Sequence, residues 1–412
     1  MGKPGEKVDI AIIGGGASGM MAAIAAAEQG ARVTVFERQA RLGRKLAATG
    51  NGRCNLSNTH TDLSRYHGEE SGFCRSVLEQ ENTVRSLKRF RDMGLLTVEN
   101  EDGRIYPMSD NAGSVVDVLR FTLEALHVRV NCGCPVKKVN KVSGGFLLGM
   151  ENGRETADRV IVSCGGKAGG KLGGVGDGYR ILEELGHRCT ALRPALVQLR
   201  TEGTLTRGLK GVRTQAQVYL RHGKRITGME RGEVQFTEYG LSGPAIFAIS
   251  REAVQKPNCV VSLDLFPEMD TDELHALLKW RARTRPGLTL DDLFTGTVQN
   301  RLGRVLVSSA GLSGGILLSE SEHLLRTLAE RAKDFSFRVT GDLGFDQAQV
   351  TSGGICTREF DPETLESRIC PGVYACGEVL DVDGDCGGFN LQWAWSSGWV
   401  AGSCAVRSGG KC

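Results

Sequence analysis

Residues Val8 to Ile13 form a nearly apolar run that ends in Gly14-Gly15-Gly16-Ala17-Ser18-Gly19, and a second run, Arg32-Val33-Thr34-Val35-Phe36, ends in Glu37. A strand, a glycine turn, a helix and a second strand closing on an acid constrain the chain to a parallel βαβ unit. The three glycines of the pattern serve different ends. Gly14 permits the tight turn, Gly16 lets backbone approach a pyrophosphate, and Gly19 lets the helix pack against the strand. From Ala17 onward the helix presents free N–H groups and its positive dipole end to phosphate. Glu37 stands where a carboxylate can accept hydrogen bonds from the ribose of an adenosine. Taken alone the glycine pattern also fits an ordinary βα turn; in this setting it predicts dinucleotide binding.

At 412 residues the chain has room for two or three domains. Its 51 basic and 48 acidic residues give a net charge of +3, so no overall field draws it to nucleic acid. The 13 cysteines are odd in number and irregularly spaced, which predicts reduced thiols in a cytoplasmic chain and not a disulfide scaffold. Ile10 to Ala27 is free of charge over 18 residues, nominally enough to cross a membrane. Its glycine cluster falls where a strand must turn into a helix, so two buried elements are expected. The first residues, Met1 to Glu6, hold no hydrophobic signal core, and Glu6 stands where a myristoylation motif needs Ser or Thr. The expectation is a cytoplasmic protein without membrane attachment.

Gly43 to Asn58 is polar, glycine-rich and too irregular for a helix. Apolar spacing predicts helices over 70–93 and 113–126 and strands near 136–142, 145–150 and 158–163. The last of these, Arg159 to Ser163, reads as a buried parallel strand returning to the first sheet. Beyond Pro194 the texture changes to alternating strands such as Thr214 to Leu220 and a helical stretch over 271–303. Nucleotide-binding character returns only at Val373-Tyr374-Ala375. This order predicts an α/β chain whose Rossmann-like domain is discontinuous: 1–193 (with a helical excursion over about 60–127) and 348–412, around an inserted mixed α+β domain at 194–347.

Pro371-Gly372-Val373-Tyr374-Ala375-Cys376-Gly377-Glu378 has the form of a late flavin motif. A short apolar strand ends in Gly377, and Glu378 can accept two hydrogen bonds from the ribityl hydroxyls of FAD. Gly387-Gly388-Phe389-Asn390-Leu391-Gln392 then opens a helix through Ser403, whose first N–H groups suit negative charge on a reduced flavin ring. A rival dinucleotide fingerprint, Gly174-Val175-Gly176-Asp177-Gly178, opens a short helix, and no acid-ended strand follows it. Asp177 and its loop are therefore expected to cover the flavin pyrophosphate.

Several ordered motifs resemble the BaiN-like, aminoacetone-oxidase-like family of bacterial FAD proteins over nearly the whole chain. They are Leu42 to Leu46 with Thr49 to Asn55, Gly176 to Tyr179, Phe236-Thr237 with Gly240 to Ala245, Val350 to Ile355, Thr364 to Ser367, Gly377 to Gly384, and Gly388 to Gln392 with Ser396 to Gly398. The resemblance implies a glutathione-reductase-type FAD domain. Carried over residue by residue, it places Ser18, Glu37, Arg44, Lys45, Asn51, Gly52, Val136, Glu378, Asn390 and Leu391 on FAD. Arg38, Cys164, Gly165 and Gly166 join that expected set. Members are similar either to reductases of enone-type steroid intermediates or to amine oxidases, so the resemblance fixes the cofactor better than the substrate. The chain departs from the pattern at Glu238, where relatives carry histidine, at Ser163-Cys164-Gly165-Gly166, and at Gly169 to Val175.

Among chemical candidates, Glu238 is the expected general acid or base, provided a pocket raises its pKa, against a solvated surface carboxylate. Arg53 is expected to stabilise negative charge on reduced flavin or to pair with phosphate, against a solvated basic loop. No Cys-x-x-Cys occurs, which disfavours a disulfide relay, and Cys132-Gly133-Cys134 reads as a turn with two thiols. Cys54 and Cys164 read as buried filler more than as reactive thiols. Trp395 and Trp399 read as core; His187, His222 and His275 read as surface or turn residues, and no histidine has metal-ligand spacing. The expected activity is an FAD-dependent oxidoreductase that takes electrons from NADH or NADPH and reduces a small or steroid-like enone. Alternatives are an oxidase that passes electrons from a small amine to dioxygen, and a flavin-binding redox sensor without turnover. RNA is disfavoured as a partner, although Arg200, Arg207, Lys210, Arg213, Arg221, Lys224 and Arg225 make the insert locally basic. The oligomeric state stays open.

Overall fold

The structure, a computed structural model, describes residues 8–407 except 61, 101, 204 and 257. The expectation for Met1 to Glu6 lies outside the described residues. The chain divides into two compact units, one built from the segments up to Arg193 and from Gln349 onward, the other from Pro194 to Ala348.

The first unit is organised by a five-stranded parallel sheet. β1 (Asp9–Ile13) lies at its centre, followed in the chain by α1 (Ala17–Glu28) and β2 (Arg32–Phe36). Across the sheet the order is Val373–Ala375, Arg159–Val162, β1, β2, Arg129–Asn131, and every pairing is parallel. β1 is apolar on both faces because both are covered: Ile10, Ile12 and Ile13 are all buried. The charge-free run is thus a strand and a helix in a core, and among the described residues no helix is long and apolar enough to cross a membrane.

α1 packs on the last helix, Phe389–Val406, through small residues. A Cβ on Gly398 would stand 2.4 Å from the Ser18 carbonyl oxygen, and one on Gly402 would stand 2.2 Å from that of Ala22. Both helices are buried nearly all round, so neither carries the amphipathic signal of a surface helix.

The helix expected over 70–93 is two helices, α2 (Phe73–Gln80) and α3 (Thr83–Asp92). Asn82 breaks the run because its side-chain oxygen accepts from the Arg85 N–H at 3.0 Å, an N-cap that restarts the helix. The helix expected at 113–126 is Ala112–Ala125. The strand reading of 136–163 missed one element: Val136–Val142, Gly145–Met150 and Gly153–Ala157 form an antiparallel sheet, while Arg159–Val162 belongs to the parallel one.

The second unit is a closed six-stranded barrel. Around it run Leu199–Thr201, Gly240–Ser242, Arg225–Phe236, Arg213–His222, Val260–Asp264 and Phe335–Asp342, which returns to the first. Phe236, Phe335 and Phe337 meet inside, with ring centroids 4.6 to 6.2 Å apart. The helical stretch expected at 271–303 is divided into Thr271–Thr284 and Asn300–Ser309. Asp270 and Glu273 begin the first with a capping box, and Pro286-Gly287 follows its end.

Candidate functional site in the first unit

The turn between β1 and α1 separates glycines that make room for the chain from one that leaves room for something else. A Cβ on Gly19 would stand 1.9 Å from the Gly14 carbonyl oxygen, and one on Gly14 would stand 2.6 Å from that of Ser163. Beside Gly16 nothing lies within 4 Å. This open side, at the amino end of α1, is a cradle of the kind a pyrophosphate fills. The rival loop has no such space: a Cβ on Gly174 would stand 2.1 Å from the Ala168 carbonyl oxygen, and one on Gly178 would stand 2.8 Å from the Cys164 Cβ. Its glycines serve internal packing.

Glu37 ends β2 and is 8 % exposed. Its Oε2 accepts from the Gly15 N–H and its Oε1 from the Gln39 N–H, each at 2.7 Å. A carboxylate has about four acceptor sites, so two remain for ribose hydroxyls. Arg38 donates to Asp177 at 2.8 Å, which ties the strand end to the first turn of the helix Asp177–Glu184. Arg44 donates to the Gln39 Oε1 at 2.6 Å. Val136 is buried and opens the antiparallel sheet.

On the far side of the sheet centre, Glu378 is held twice. Its Oε2 accepts from Lys45 Nζ at 2.8 Å and its Oε1 from the Thr351 N–H at 2.7 Å. The Thr351 hydroxyl in turn accepts from the N–H groups of Lys167 and Ala168, at 2.8 and 2.9 Å. Gly166 is the residue that this arrangement requires, since a Cβ there would meet Thr351 Oγ1 at 2.5 Å and Glu378 Oε1 at 2.6 Å. Gly165, with φ +70°, faces nearly open space. Thr351 was assigned no role in the sequence; the short motif Val350 to Ile355 that contains it was the available signal.

The segment Gly43 to Asn58, expected to be irregular, contains a left-handed run, Gly50, Asn51 and Gly52, with φ of 58°, 56° and 86°. Asn and Gly accept this conformation at least cost. Asn55, Ser57 and Asn58 dock the loop against Gly387 and Gly388, and Asn390 bonds back to Gly384 through both its amide atoms, at 2.7 and 2.8 Å. The Asn390 side chain thus shapes the segment that precedes the helix, while Leu391 lies half-buried in the first helical turn. Gln392, unassigned in the sequence, is the hub behind it. It is 2 % exposed and bonds Ser57, Ser86 and Ser396 at 2.6, 3.0 and 2.8 Å.

Cys54 and Cys164 are poorly placed to act as nucleophiles. Burial pushes both Cys54 and Cys164 up to about 12. Eleven of the described cysteines carry free thiols. Arg53 donates to Asp110 at 2.5 Å and lies 4.5 Å over the Tyr106 ring. Glu238, in the second unit, lacks the pocket expected of it: it is exposed, and Lys210 Nζ at 2.7 Å holds its carboxyl below the usual range. A carboxylate so stabilised is a poor proton donor at neutral pH. His187, expected as a surface or turn residue, is instead buried. It is 4 % exposed, stacked on Phe360 at 4.6 Å, and bonded by Nδ1 to Glu359 and by Nε2 to Ser367, each at 2.9 Å. Among the described residues no His, Cys, Asp and Glu cluster suits a metal ion.

A family model described as the HI0933-like protein Rossmann domain matches residues 8–404. The chain belongs to the HI0933-like family. It is 39 % identical over 405 residues to the 3-dehydro-bile acid delta(4,6)-reductase of Clostridium scindens, covering 97 % of this chain and 99 % of that one. It is 30 % identical over 398 residues to the ribosomal RNA dihydrouridine synthase of Escherichia coli K12, covering 96 % and 97 %. Among solved structures, 3-ketosteroid delta1-dehydrogenase from Sterolibacterium denitrificans shares the fold at 13 % identity and a TM-score of 0.51, covering 97 % of this chain and 99 % of that one. This HI0933-like protein is an FAD-dependent oxidoreductase, and the open side of Gly16 at the amino end of α1 fits the group.

Proposed function

We propose that this protein is an NAD(P)H-linked reductase of a small or steroid-like enone. The observation that carries the reading is the 39 % identity, end to end, with a reductase of a 3-dehydro-bile acid. Bound FAD supplies the hydride chemistry; the protein contributes orientation and electrostatics. Glu37 would accept from the ribose hydroxyls and the Gly16 turn would hold the pyrophosphate. Glu378, fixed by Lys45 and Thr351, would accept from the ribityl chain. The first N–H groups of the last helix would favour negative charge on the ring. The cofactor-facing set in this reading is Gly14, Gly16, Ala17, Ser18, Gly19, Glu37, Lys45, Asn51, Gly52, Gly165, Gly166, Gly377, Glu378 and Leu391.

A small-molecule substrate is also supported by the ion pairs of the barrel. Of the residues that make its sequence basic, Lys210, Arg213 and Arg221 are paired with Glu238, Glu233 and Asp334. Pairing reduces the field on which phosphate binding depends. The test is anaerobic stopped-flow mixing of the FAD-loaded enzyme with NADH and NADPH, followed by a 3-keto-4-ene steroid or ribosomal RNA. Bleaching of the flavin band by either nucleotide and its return with the steroid support the reductase. Bleaching only by a small amine, with return in air, replaces it with an oxidase. Return only with RNA moves the substrate to the nucleic acid.

A further inference from the structure

We propose that the cleft between α2, α3 and the carboxyl end of the last helix is a binding site for a phosphate-class anion. The cleft is open to solvent and holds about 270 Å³; its lining includes Glu81, the exposed Arg85, Arg89, Trp399, Ser403 and Arg407. Three guanidiniums there share a volume with one carboxylate, in a chain whose entire net charge is +3. That carboxylate is already committed. Glu81 is 2 % exposed and takes Arg89 through two hydrogen bonds, Nε at 2.8 Å and Nη2 at 3.1 Å. The same guanidinium lies 3.3 Å from the centre of the Trp399 ring, so it is held between an acid and an aromatic face.

The two other arginines carry the charge surplus. Arg85 Nη1 donates to the carbonyl oxygens of Glu79, at 3.2 Å, and Gln80, which fixes the group by backbone without cancelling its charge. Arg407 is exposed at the mouth. Glu81–Arg89 is the ion pair that the described residues lining the cleft make. Two further acids stand near Arg89: burial raises the Glu28 carboxyl against the attraction of Arg89, and Asp92 is taken by Lys88 at 2.6 Å.

A guanidinium offers up to five donors in a planar fork that matches the oxygens of phosphate, and charge-assisted bonds of this kind are among the stronger ones. Arg85 and Arg407 thus supply donor edges and the surplus charge, Ser403 a hydroxyl, and the Arg89–Glu81 pair a fixed polar wall. Free pyrophosphate and the diphosphate of a nucleotide share the chemistry that this cleft recognises.

The test is calorimetry of the FAD-loaded enzyme, its cofactor site filled, titrated with pyrophosphate and separately with ADP. Saturable binding is expected in the unaltered protein, weakened at least about tenfold in the Arg85→Gln/Arg407→Gln double variant, as loss of two charge-assisted partners requires. The flavin spectrum and thermal midpoint should not change. Arg89 is left in place, because its removal would strand the buried Glu81 charge. ADP binding tighter than pyrophosphate identifies a nucleotide as the source of the phosphate, and the reverse identifies the free anion. No saturable binding of either, or binding undiminished in the double variant, overturns the proposal.

Discussion

Gly402→Ala sets two effects of similar size against each other. Alanine gains about 1 kcal/mol over glycine in a helix interior. Here its Cβ would stand 2.2 Å from the Ala22 carbonyl oxygen and 2.9 Å from the carbonyl carbon, about 1.2 Å inside ordinary contact. The obstacle is backbone of α1, which cannot rotate aside as a side chain can, so the helices must separate. Overpacking of this kind costs about 1–3 kcal/mol. The expected net loss is about 1 kcal/mol, which lowers the thermal midpoint of a unit of this size by about 2–4 °C. Because α1 also bears the Gly16 cradle, the displacement should reach the cofactor, with FAD bound several-fold more weakly. The assay is a pair of thermal melts, with and without FAD, beside a fluorescence titration of FAD into apoprotein. Gly398→Ala, at 2.4 Å from the Ser18 carbonyl oxygen, should behave alike, and the pair should lose less than the sum because one separation relieves both contacts. A raised midpoint with unchanged FAD affinity would refute the reasoning: helix propensity would have outweighed the contact.

Burial lowers the His187 pKa from 6.5, so the folded state holds the neutral ring and the unfolded state protonates first. Stability should therefore decline as pH falls through about 6.5, and the slope of urea midpoint against pH should flatten in His187→Phe. Glu378→Gln keeps the shape but leaves Lys45 without its acid; apoprotein titration should show FAD bound roughly tenfold more weakly, since a hydrogen bond to a charged group contributes about 1.5–3 kcal/mol. With iodoacetamide at pH 8, peptide mass mapping should find the exposed Cys132 alkylated well before the buried Cys54, because burial pushes the Cys54 thiol up to about 12.

How far the sequence was legible depended on the distance over which each signal acts. The β1–α1–β2 unit was readable because its glycine spacing is local and each glycine answers to one contact. Glu37 and Glu378 were readable for the same reason, each ending a short apolar strand. The break between α2 and α3 was hidden because the apolar spacing continues through Asn82, and only its capping bond marks the new start. Pairings across the barrel are non-local, so alternation announced strands without announcing closure. The environments of single polar residues were least accessible. His187 stands between Gly186 and Arg188, a polar context, yet its partners Glu359 and Ser367 arrive from more than 170 residues away. The surroundings of Glu238 were equally out of reach, since the lysine beside it lies 28 positions earlier.

The parallel sheet has a consequence for how the protein is made. Arg159–Val162 finds its outer neighbour, Val373–Ala375, only after the whole barrel segment has been synthesised. The helix that covers α1 comes later still. During translation the segment Pro194 to Ala348 can close its own core first, while the apolar face of α1 waits for a partner. The nascent chain therefore exposes its most hydrophobic helix for most of its time on the ribosome, and that interval is when chaperones and proteases would meet it.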